Sequence, residues 1–70
     1  MPPFRDVTQR QAVRAFCRLG GLERKGKGSH RVVNLNGRNL SIPGGVLKIG
    51  LLKRLIELAG VSEEEFQEKL

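Results

Sequence analysis

The chain reads as an α+β fold, a two-layer sandwich in the order helix, three-stranded antiparallel sheet, helix and short helix. Three observations predict it. Apolar residues recur at helical spacing in two places, at Ala12, Val13, Phe16, Cys17 and Leu19 and again at Leu51, Leu52, Leu55, Ile56 and Ala59. The stretch between them alternates apolar and polar residues around Asn36-Gly37, the dipeptide that most favours a two-residue hairpin turn. Seventy residues leave room for a single domain over residues 1–70, with one thin core holding three aromatics, Phe4, Phe16 and Phe66.

Each element has its own local signals. Thr8 and Gln11 form a capping box, in which the hydroxyl serves the N3 amide and the Gln side chain reaches back to the cap. Arg10, Arg14 and Arg18 then share a helix face away from the apolar stripe, and Gly20-Gly21 stops the helix. Leu22 to Lys25 reads as a short strand and Gly26-Lys27-Gly28 as a flexible basic turn. Ser29 to Leu35 reads as the next strand, returning over Arg38 to Pro43. A two-residue turn at Asn36-Gly37 pairs 35 with 38, 33 with 40 and 31 with 42. Val33, Leu35, Leu40 and Ile42 then fall on one face, and His30, Val32, Asn34, Asn39 and Ser41 on the other. The second helix runs from about Gly50 to Ala59 and closes at Gly60. The last helix is announced by a Ser62/Glu65 capping box and a Val61/Phe66 hydrophobic staple.

Charge is placed unevenly. Thirteen Lys+Arg against seven Asp+Glu give +6, but residues 1–54 carry twelve cations and two acids, whereas residues 55–70 carry five Glu and one Lys. A strongly basic body with an acidic tail points to a polyanion-binding surface, against the plainer reading of a solubilising one. The length excludes a deep-cavity enzyme, and a dinucleotide-binding half-fold would already consume most of the chain. A single cysteine allows no internal disulfide and no cysteine-based metal site, so no metal or cofactor is expected. Met1 to Asp6 lacks the apolar core of a secretory signal, and no apolar run is long enough to cross a membrane. The expectation is a cytoplasmic protein without membrane contact.

His30 is the only histidine and the only side chain suited to proton transfer near neutral pH. It follows Lys25-Gly26-Lys27-Gly28-Ser29 and precedes Arg31, so an imidazole stands among cations beside a glycine turn. Glycines let backbone amides approach a phosphate, and Lys or Arg offset its charge. On the residues alone, the reading of His30 as a surface bystander outweighs the catalytic one. Gly26-Lys27-Gly28 matches neither a P-loop nor a dinucleotide fingerprint. Cys17, beside Phe16, reads as a buried structural thiol, and Glu63-Glu64-Glu65 as helix-start chemistry. The Arg10, Arg14 and Arg18 row is read equally as a solvated face or as a track for a phosphate backbone.

Longer-range features carry a resemblance. Gly28-Ser29-His30 enters a strand, and a hairpin leads to Ile42-Pro43. Gly50-x-Leu52-Lys53-x-Leu55-Ile56-x-x-Ala59-Gly60-Val61-Ser62-x-x-Glu65-Phe66 then follows. From about Val7 to Leu70 this pattern resembles the HicA family, mRNA-interferase toxins of type II toxin–antitoxin systems whose fold is double-stranded-RNA-binding-like. It departs from that pattern at Gly44-Gly45-Val46, where many members carry a second His, and at Leu51, where a Thr is common. The resemblance implies metal-independent endoribonuclease activity with His30 as the catalytic residue. It also implies neutralisation by a HicB-type antitoxin that covers His30, in a hetero-oligomer, or a homodimer of the toxin itself. In this reading His30 deprotonates a ribose 2′-OH, and the RNA-binding set is Lys25, Lys27, Gly28, Ser29 and Arg31. Two other classes stand beside it: a non-catalytic RNA-binding module, and a protein-interaction domain whose basic face docks an acidic partner.

Overall fold

Asn36-Gly37 sets the register of the sheet. Both residues take positive φ, 54° and 77°, the conformation that a two-residue turn needs to match the twist of its strands. The computed structural model describes residues 4–70, so the reading of Met1, Pro2 and Pro3 lies outside the described residues. Across the turn, β2 (Arg31–Leu35) pairs with β3 (Arg38–Ile42) as Leu35 with Arg38, Val33 with Leu40 and Arg31 with Ile42, as the alternation predicts. On its other side β2 pairs with β1 (Leu22–Lys25), Glu23 facing Val33 and Lys25 facing Arg31. The sheet order is β1-β2-β3.

The helices cover one face. They are α1 (Gln9–Arg18), α2 (Ile49–Ala59) and α3 (Glu63–Lys69). Both predicted capping boxes form. Thr8 Oγ1 accepts from Gln11 N at 3.2 Å while Thr8 N donates to Gln11 Oε1 at 3.0 Å, and Ser62 and Glu65 do the same at 3.0 and 2.8 Å. α1 lies on β2, α2 on β3, and α3 on α1. Val33, Leu35, Leu40 and Ile42 are buried beneath them, meeting Phe16, Leu52, Ile56 and Ala59. The three aromatics close the core together. Phe66 meets Phe4 edge-on at 5.7 Å and Phe16 at 4.8 Å between ring centroids. The opposite face carries Arg24, Asn39 and Ser41, exposed, and Val32 and Asn34, half-buried.

Three sequence expectations are corrected. The second strand begins at Arg31, not Ser29. His30 N donates to Lys27 O at 3.0 Å with Gly28 at φ 60°, and that tight turn takes Ser29 and His30 out of the ladder. The third ends at Ile42, because Pro43 has no N–H to extend it. Cys17 is half-buried against the rim of the core, not enclosed by it. Arg18 stays exposed on the face of Arg10 and Arg14, and its guanidinium donates to Lys69 O at 2.9 Å.

Three hydrogen bonds tie the layers at opposite ends of the sheet. Asn36 Nδ2 donates to Ala59 O at 2.8 Å, fixing the hairpin turn to the end of α2. At the other end, Gln9 N donates to Gly45 O at 2.9 Å and Leu47 N to Val7 O at 2.8 Å. These bonds pin the loop after β3 to the start of α1.

Candidate functional site

The segment Gly26 to His30 connects β1 to β2, and its geometry is over-determined. A Cβ at Gly26 would lie 2.5 Å from His30 O, so the two ends of the loop approach more closely than any other residue permits. From outside the loop, Gln9 Nε2 donates to Ser29 O at 2.6 Å and to Ile42 O at 2.9 Å. One side-chain amide in the first turn of α1 thereby joins the Gly28-Ser29-His30 turn to the end of β3. With its backbone bond to Gly45, Gln9 contacts three separate segments. Its position at the start of a helix that caps itself explains how its side chain reaches the sheet: Thr8 and Gln11 satisfy each other and leave Gln9 for tertiary contact.

This loop borders a cleft of about 810 Å³ at the end of the β1–β2 pair. His30, Ser29, Gly28, Lys25 and Arg31 all line it, so five of the six predicted site residues come together there. Lys27 does not. It is exposed and lies outside the cleft wall. Gly26, Gln9, Glu23, Arg24 and Gly44 complete the wall and are not among the site residues that the sequence predicts. For Glu23 and Arg24 the signal lies in the β1–β2 register, which no hairpin dipeptide specifies. For Gln9 no local signal exists, because its partners are 20 and 33 residues away.

The charges are not equivalent. Arg31 donates from Nη1 to Glu23 Oε2 at 2.7 Å in a half-exposed ion pair, so its charge is partly offset and its guanidinium is held in place. Arg24 and Lys25 have no such partner among the described residues. The imidazole of His30 is exposed and makes no side-chain hydrogen bond among the described residues, which leaves both ring nitrogens accessible to a ligand. Beyond Glu23, burial first and the nearby carboxylate second push the Cys17 thiol up, so it stays protonated and is a poor nucleophile.

The arrangement can do one kind of chemistry well. A single acid–base group stands on a fixed turn beside exposed cations, in a cleft open to a large substrate. Among the described residues, no cluster of three or more His, Cys, Asp or Glu side chains could hold a metal ion, and no helix is long and apolar enough to cross a membrane. Compared with known proteins, the chain matches no protein-family model and no curated protein sequence.

Proposed function

We propose that the protein is a ribonuclease whose substrate supplies its own nucleophile. More narrowly, we read it as a HicA-type mRNA-interferase toxin, held in check by a HicB-type antitoxin. The observation that carries this reading is the convergence of His30, Lys25 and Arg24 on one cleft, with the His30 turn clamped by Gln9. His30 takes the proton from a ribose 2′-OH, and the 2′-oxygen attacks the adjacent phosphorus. The bond to the 5′-oxygen breaks, leaving a 2′,3′-cyclic phosphate and a 5′-oxygen that takes a proton from water. Lys25, Arg24 and the ion-paired Arg31 offset charge on the non-bridging phosphoryl oxygens. An exposed imidazole suits this chemistry because the RNA strand itself brings the 2′-OH, and no deep pocket is required.

The basic body also fits an acidic antitoxin that shields the same cleft, and a cytoplasmic setting is part of this reading. His30→Ala tests it. The variant should bind RNA as the unsubstituted protein does and form no cleavage product above background, in the presence of a chelator as in its absence. Undiminished cleavage by His30→Ala would remove His30 from the mechanism. Salt-sensitive RNA binding without product, even in the unsubstituted protein, would favour the non-catalytic module instead.

A further inference from the structure

A second cationic groove runs along α1, and the cleavage chemistry proposed above makes no use of its Arg10 and Arg14. Arg10, Val13, Arg14 and Cys17 line it, together with Gln9, Glu23 and Arg31, which also line the His30 cleft. The two hollows are therefore contiguous, and a strand lying in one meets Arg31 on its way into the other. Arg10 and Arg14 are exposed, one helical turn and about 6 Å apart along the axis. Neither has an ion-pair partner among the described residues. Like charges at this spacing destabilise a helix unless an anion sits against them. The only carboxylate in the groove, Glu23, is taken by Arg31 at 2.7 Å. The Cys17 thiol, held protonated, adds no negative charge.

Across both hollows Arg10, Arg14, Arg24, Lys25 and Arg31 face Glu23 alone. The groove beside α2 is different, because Lys53 and Arg54 there are balanced by Glu57 and Glu63. A polyanion leaving the His30 cleft finds uncompensated positive charge along α1 and none beside α2. Resting on the ribonuclease reading, we infer that α1 is the track for the RNA strand flanking the scissile phosphate. Arg10 and Arg14 hold successive backbone phosphates there. The track reads backbone and not sequence, since Val13 and a thiol offer little to discriminate base edges.

The test uses single-stranded RNA made uncleavable by 2′-O-methylation, in a length that extends beyond the cleft, and a dinucleotide that fills the cleft alone. For the longer strand, Arg10→Gln with Arg14→Gln should lower the slope of log K against log salt by about 1.4, from ~0.7 per phosphate contact. Dinucleotide binding should not change. Arg10→Lys with Arg14→Lys should restore the slope, and both pairs sit on an exposed helix face where Gln and Lys keep the helix. An unchanged slope overturns the track. So does an unchanged slope together with lost binding to an acidic protein, which would make this face a protein interface. Because the probe cannot be cleaved, the two readings fail separately. A protein that binds with the α1-dependent slope but never cleaves RNA loses the ribonuclease reading and keeps the track. One that cleaves through His30 with an unchanged slope does the reverse.

Discussion

The sheet has two connecting loops, and they are built in opposite ways. Asn36-Gly37 is made by its own two residues, whose positive φ values close the turn without help from elsewhere. It then serves the fold by anchoring α2 through Asn36 and Ala59. Gly26 to His30 is longer, exposed and basic, and it is held by a residue 20 positions away, Gln9. The first loop stores its geometry locally and spends its side chain on stability. The second borrows its geometry from α1, leaving His30 and Lys25 uncommitted. A small domain can thus present a histidine from a clamped backbone turn on its surface without a deep core beneath it.

Substitutions that break this contrast should rank as follows. His30→Ala is expected to lower single-turnover RNA cleavage by about 10²–10⁴-fold with no change in melting temperature, as befits a general base on an exposed turn. Gln9→Ala should lower cleavage by on the order of 10²-fold, because a misplaced base costs that much. It should also cost about 0.5–1.5 kcal/mol of stability, chiefly through the part-buried bond to Ile42 O, read by urea titration. A full loss of folding without an intermediate activity defect would show that Gln9 serves the fold alone. Asn36→Ala is expected to give the reverse pattern. It loses the 2.8 Å bond to Ala59 and strains the turn, at a cost of about 1–2 kcal/mol, with cleavage unaltered where the protein is folded.

The smallest effect concerns Cys17. Its folded-state pKa is raised, so the stability it contributes is whole below the ordinary thiol range and declines as pH rises through and above it, where the unfolded chain ionises first. Denaturation midpoints at increasing alkaline pH should fall less for Cys17→Ser than for the unsubstituted protein. Coincident pH profiles would show that the thiol is not shielded.

What could be read in advance divides along the same line as the loops. The helix starts at Thr8 and Ser62 and the 33:40 register are local, encoded within a few residues of where they act, and all formed as predicted. The alternation starts β2 two residues too early because turn and strand compete over Ser29 and His30, and the bond from His30 N to Lys27 O decides for the turn. Within the candidate site, Lys25, Gly28, Ser29, His30 and Arg31 were legible as a cluster because they are neighbours in the chain. Gln9, Glu23 and Arg24 were not, because their roles exist only once α1 and β1 have docked. Spacing puts Arg18 in the cationic row, yet the backbone carbonyl of Lys69 captures it, a partner that helical periodicity cannot reveal.

The most direct test of the central claim is the time course of cleavage of an RNA oligonucleotide by the intact protein in the presence of a chelator. It is run beside the same strand with 2′-deoxyribose at the cleaved nucleotide. The account predicts a 2′,3′-cyclic phosphate product that depends on His30 and disappears at the deoxy position. Equal cleavage of the deoxy-substituted strand would contradict it, because the nucleophile would then not be the substrate's own hydroxyl.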